Sequence, residues 1–147
     1  MGFFNAFSIS SSALTAQRLR MDIISQNIAN VDTTRTADGT PYRRKTVVFE
    51  ERGVQPFSQY LSSASRDQYL SGGGVRVAGI VEDPSPFKEV YDPGNPDADA
   101  NGIVKMPNVD VVTEMVNMIS ATRAYEANVT AMNASKSMAS KALEIGR

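Results

Sequence analysis

A chain of 147 residues with 15 basic and 16 acidic side chains carries a net charge of −1, which leaves neither a nucleic-acid footprint nor an acidic tail. It has no Cys and no His, which excludes disulfides and Cys-ligated metals and removes the commonest general base. Trp is also absent and aromatics are 7%, so the apolar core must come from Ala, Val, Ile and Met.

At the start, Met1-Gly2-Phe3-Phe4-Asn5-Ala6 lacks the basic and continuously apolar regions of a cleavable secretory signal. Ala6 stands where N-myristoylation wants Ser or Thr. No apolar run approaches the ~18 residues of a membrane span, so no membrane insertion is expected.

From Asn5 to Val31 there is no Gly or Pro, and Phe7, Leu14, Met21 and Ile28 are spaced by sevens. Ile24 and Val31 follow two of these at three residues. This spacing predicts a long amphipathic helix, about 40 Å at the usual rise. Ser8 to Ser12 is a poor helix former and is expected to be ordered by contact. Asn27-Ile28-Ala29-Asn30 should end the helix, and Asp32-Thr33-Thr34 breaks the pattern.

Residues 32–107 read as a loop- and β-rich outer segment. Asp38-Gly39 marks a turn, and Tyr42 to Glu50 reads as a strand. Gln55 to Leu70 is Ser- and Gln-rich, and Gly72-Gly73-Gly74 follows it as a hinge. An insertion is expected at about 52–73. Val75, Val77, Gly79 and Val81 alternate as a strand, and Phe87 to Tyr91 and Ile103 to Met106 form two shorter ones. Asp92 to Gly102 is a Pro-, Gly- and Asp-rich loop, and Asn108 or Asp110 caps what comes next.

Residues 108–147 predict the second long helix, over ~50 Å. Its apolar or small residues step by four and three: Val111, Met115, Met118, Thr122, Tyr125, Val129, Met132, then Ala139 and Leu143, with Lys136 as the break. Between Ala127 and Ser135 no residue is charged. An exposed helix face usually carries Lys and Glu, so this face is expected to be crowded by neighbours. The fold class expected is mainly α with a small β-rich middle. The terminal helices, 1–31 and 108–147, pair as an antiparallel coiled coil. Leu14, Met21, Ile28, Met115, Met118, Tyr125, Val129 and Met132 form its packing and assembly seam. Asn27, Asn30, Arg123 and Asn128 are the polar interface candidates.

Little in the chain suggests chemistry. Asp97-x-Asp99-x-Asn101-Gly102 fits half a calcium loop, but Asn108 stands where the bidentate Glu belongs and Pro93 and Pro96 deny it an entering helix. The Gly72 triplet lacks the Gly-Lys-Ser/Thr of a phosphate loop. Arg43-Arg44-Lys45 reads as a charged strand face or a salt-bridge surface between subunits, and the acidic stretch from Glu82 to Asp99 reads as a solvated loop. The sequons at Asn128 and Asn133 fall inside a helix. Met115, Met118, Met132 and Met138 suit adaptable packing better than a cofactor box. No enzyme, cofactor, metal, nucleic acid or small-molecule substrate is expected. A helix-binding adaptor and a calcium module are the remaining alternatives.

Ala13-Leu14-Thr15-Ala16-Gln17 with Asn27-Ile28-Ala29-Asn30 resembles the N-terminal signature of bacterial flagellar axial proteins. The run from Met106-Pro107-Asn108-Val109-Asp110 to Ile119, then Arg123-Ala124-Tyr125-Glu126-Ala127-Asn128, is similar to the flagellar rod group. Tyr91-Asp92-Pro93-Gly94-Asn95-Pro96 narrows the resemblance to the proximal rod. That resemblance implies a structural subunit of the periplasmic drive shaft, exported by the flagellar type III system. It implies assembly through the terminal helices with copies of itself and other rod subunits, near the export gate and the MS ring, to transmit torque.

Overall fold

The computed structural model describes residues 3–52 and 73–145. Most of the excursion expected between Arg52 and Gly73 lies outside the described residues. The elements follow in the order α1 (Phe3–Ala29), β1 (Lys45–Glu51), β2 (Val75–Glu82), β3 (Lys88–Tyr91), β4 (Ile103–Met106) and α2 (Val111–Ile145). Two helices at the ends and a small β-rich middle match the expected class. The strand expected from Tyr42 begins three residues later: the Tyr42 N–H donates to the Thr33 carbonyl and the Arg44 N–H to the Asn108 side chain, not to a neighbouring strand.

Each boundary has a local cause. α1 is 27 residues long and ends where Asn30 turns its Nδ2 back to donate to the Gln26 carbonyl at 2.8 Å. Val31 N–H then reaches the Ile28 carbonyl in a tightened last turn. α2, at 35 residues, follows Pro107. Its N-cap is Asp110, whose carboxylate accepts from both the backbone N–H and the hydroxyl of Thr113. Those two bonds hold the Asp110 carboxyl below the usual carboxylate range.

Among the described residues the strands form two two-stranded sheets, β1 with β2 and β3 with β4. The second is antiparallel with Lys88 opposite Met106 and Tyr91 opposite Ile103. Its connecting loop closes with Asp92 N–H donating to the Gly102 carbonyl at 2.9 Å. Gly102 takes φ +74°, and a Cβ there would meet the Tyr91 ring at 2.9 Å, so the turn requires Gly.

The chain divides into two compact units, and each long helix contributes a segment to both. The first comprises Met1–Arg18, Phe49–Ala78 and Arg123–Arg147. In it Ser12, from the Ser-rich stretch, lies within α1; its Oγ donates to the Ile9 carbonyl and accepts the Val75 N–H at 3.1 Å. Gly74, at φ +97°, packs directly on Ser12 and Ile9. Arg76 pairs with Glu50 across the sheet. The second unit comprises Leu19–Val48 and Gly79–Thr122. Its buried apolar residues are Ile23 and Ile24 of α1, Tyr42, Val104 of β4, Val109, and Ala121 of α2.

Candidate functional site

The second unit is organised around a buried polar hub. Asn27 and Glu114 are each 1% exposed, which is rare for these residue types unless they are fully partnered. Asn27 uses its whole amide. Its Nδ2 donates to the Lys45 carbonyl and to Glu114 Oε2, both at 2.9 Å. Its Oδ1 accepts from the Tyr42 hydroxyl at 2.9 Å and from the Lys45 N–H at 3.0 Å. An Asn amide has two donors and two lone pairs, so nothing is left over.

Glu114 is held from its other side by Arg44. The Nε and Nη2 of Arg44 donate to Glu114 Oε1 at 2.9 and 2.8 Å, and its Nη1 reaches Asp83 Oδ2 at 3.2 Å. Burial works to lower the Arg44 pKa, but hydrogen bonds and charge from Glu114 and Asp83 outweigh it and raise the pKa overall. Burial, then the charges of Glu114 and Glu82, push the Tyr42 hydroxyl above its ordinary value. Asp83 is held below the usual carboxylate range, first by the Ser85 hydroxyl and backbone N–H and then by Arg44.

Asn108 closes the hub from the short segment between β4 and α2. Its Oδ1 accepts the Arg44 N–H at 2.8 Å, and its Nδ2 donates to the carbonyls of Asp83 and Ser85 at 3.2 Å. Beside it, Lys88 Nζ donates to the Val109 carbonyl at 2.7 Å, tying β3 to the segment before α2. Arg43 lies 4.7 Å from the Phe87 ring centroid. The arrangement satisfies charges and fixes geometry. It presents no nucleophile beside a base.

The second feature is an outward apolar stripe on the first turns of α2. Val112, Met115, Val116 and Ile119 are 64, 49, 61 and 53% exposed. They recur at three, four and seven residues, so they share one face. The inward face carries Glu114 and Ala121, with Met118 half-buried. Met115, grouped with Met118 in the expected seam, therefore stands on the outward stripe. Further along, Ala127, Thr130, Ala131, Asn133 and Ala134 are exposed on an uncharged stretch.

Of the other expected seam residues, Leu14, Met21, Ile28, Met118, Tyr125, Val129 and Met132 are all half-buried. The Thr122 hydroxyl lies 3.6 Å from the Met21 sulfur and donates to the Met118 carbonyl. Among the polar candidates, Asn27 is used up inside the chain. Asn30 is the α1 cap, and Asn128 Nδ2 donates to the Ala124 carbonyl at 2.8 Å. Arg123 is exposed. Arg44, read from sequence as surface charge, is instead an internal partner of Glu114. The sequence did carry one signal for this. Glu114 sits three residues after Val111 and four before Met118, a lone carboxylate on a half-buried helix face.

The half calcium loop is otherwise engaged. Asp97 accepts from the Thr34 hydroxyl at 2.8 Å and faces Arg35 at 3.7 Å. Among the described residues no group of three or more acidic side chains is placed to hold a metal. No described helix is long and apolar enough to cross a membrane.

Residues 7–35 match the family model described as flagella basal body rod protein. Residues 100–145 match the one described as flagellar basal body rod FlgEFG protein C-terminal. The flagellar basal-body rod protein FlgC of Bacillus subtilis is 52% identical over 151 residues, covering all of both chains. That of Borreliella burgdorferi is 52% identical over 152 residues, covering 99% of this chain and 98% of its own. That of Salmonella typhimurium is 48% identical over 147 residues, again covering all of both.

Proposed function

The chain belongs to the FlgC family of flagellar basal-body rod proteins, and from that membership we propose that it builds the proximal rod, the periplasmic drive shaft that carries motor torque. It is a structural subunit of the basal body, not an enzyme, and it assembles with other rod components. The terminal helices, 1–31 and 108–147, pair antiparallel as a coiled coil and form the inner part of the assembly, while 32–107 forms the outer segment. Copies associate through the helices. Neighbours at the base of the rod include the export gate and the MS ring. The chain reaches the periplasm through the flagellar type III apparatus.

The observation that carries this reading is the stripe of Val112, Met115, Val116 and Ile119, which leaves large apolar side chains facing outward on a long helix. Burying such area releases roughly 25 cal/mol per Å². A shaft repeats that gain at every contact. Antiparallel pairing is supported by the hub and by Met21 against Thr122. As the position on α1 moves back from Asn27 to Met21, its partner on α2 moves forward from Glu114 to Thr122.

The test is Val116→Lys with Ile119→Lys in a flagellated cell that lacks its own copy. Basal bodies isolated from it and viewed by electron microscopy should lack the rod, while the purified variant keeps its circular dichroism. Rods of normal length and full swimming would overturn the assembly role of the stripe.

A further inference from the structure

The geometry points to the Asn27–Tyr42–Arg44–Glu114 hub as the device that fixes the register of α2 along α1, selecting one of several pairings that the apolar seam alone would accept. This rests on the antiparallel pairing proposed above.

The seam is nearly degenerate. On α1, Leu14, Met21 and Ile28 repeat every seven residues. On α2, Val111, Met118, Tyr125 and Met132 do so, and Thr122 and Val129 begin a second row whose heptad predecessor, Met115, stands on the outward stripe. Sliding one helix past the other by seven residues, ~10 Å, returns apolar side chains to apolar side chains. Burial therefore discriminates weakly between the observed register and its neighbours.

The hub has no such repeat. Seven residues before Glu114 stands Pro107, and seven after it stands Ala121. The counter-charge cannot follow a slip without breaking other bonds. Asn27 binds both the N–H and the carbonyl of Lys45, which fastens the 42–45 segment to α1, while Asn108, three residues before α2, accepts the Arg44 N–H. Glu114 belongs to α2. If the segment stays with α1 in a seven-residue slip, a carboxylate that is 1% exposed loses its guanidinium; if it follows α2, Asn27 loses Tyr42 and Lys45. In both cases Asn27 loses Glu114 as an acceptor. Buried polar groups have their best-attested use in rejecting wrong registers in this way.

The chain has no Cys, so paired substitutions report register without background. Met21→Cys is combined in turn with Thr122→Cys, Val129→Cys and Met115→Cys in the full chain. Bridging is followed with dibromobimane, which fluoresces when it joins two thiols. Each pair is also placed in a background with Asn27→Leu, Tyr42→Phe, Arg44→Met and Glu114→Leu. With the native hub, the 21/122 pair should bridge at least ~10-fold faster than the other two. In the apolar background that preference should fall to within about threefold, with helix content retained.

An apolar background that keeps the native preference overturns the inference, because the seam then suffices. Loss of helix content in that background overturns it as well, because the hub then supplies stability and not selection. Absence of a 21/122 preference with the native hub would instead remove the antiparallel pairing itself.

Discussion

Asn27 and Glu114 lie 87 positions apart in the chain, yet share a hydrogen bond of 2.9 Å from which water is almost excluded. The bond joins the end of α1 to the beginning of α2. It stands only because Arg44 neutralises the same carboxylate, since a buried carboxylate without a cation is too costly to keep.

Removing Arg44 should therefore be worse than removing its partner. Arg44→Met strands Glu114 and should cost about 3–5 kcal/mol. Glu114→Gln keeps the shape, gives up the charge, and should cost less. Urea midpoints at constant slope measure both. Equal and small losses would mean that water reaches the carboxylate.

Tyr42 adds an alkaline dependence. Its pKa is raised in the folded chain, by burial first and then by Glu114 and Glu82. The folded state therefore holds the phenolic proton more tightly than the unfolded state does. That contribution is complete below the unfolded pKa of about 10 and is lost as pH rises through the folded value. Tyr42→Phe should cost about 1 kcal/mol at neutral pH by deleting the bond to Asn27. It should also flatten the fall in stability above pH ~10. Denaturation at a series of pH values checks both; an unchanged alkaline slope would assign it to other groups.

Gly74 cannot accept a side chain. It sits at φ +97°, and a Cβ would run into the Ser12 hydroxyl and lie 3.3 Å from the Ile9 Cα. Gly74→Ala should lower stability by about 1–3 kcal/mol through backbone strain, before any cost of moving Ser12. Thermal melts of Gly74→Ala beside Gly39→Ala separate the two effects, because Gly39 also has positive φ, +76°, but open space around it. Equal losses at both positions would leave strain as the whole cause.

Ala131 is exposed within the uncharged stretch of α2. Ala131→Glu should leave the helix content of the purified chain unchanged. It should depress incorporation into rods, because a carboxylate would be buried against a neighbour without a partner. Incorporation is read by mass spectrometry of isolated basal bodies. Normal incorporation would place that face toward solvent.

The two helices were legible in the sequence because burial of a helix face repeats every three to four residues and leaves a mark in one dimension. The absence of Gly and Pro from Asn5 to Val31, and a cap at Asn108 or Asp110, marked their ends by equally local rules, and the structure chose Asp110. The short strands were visible for the same reason, as alternation at Val75 and Val77. The hub was not. Asn27, Tyr42, Arg44, Asp83, Asn108 and Glu114 come from five separated segments, and no spacing rule links them. From sequence, Asn27 and Arg44 looked like surface contacts because polar residues usually lie outside. Only the tertiary structure turned them inward, by bringing donors and acceptors to one point, so that each desolvated group found a partner.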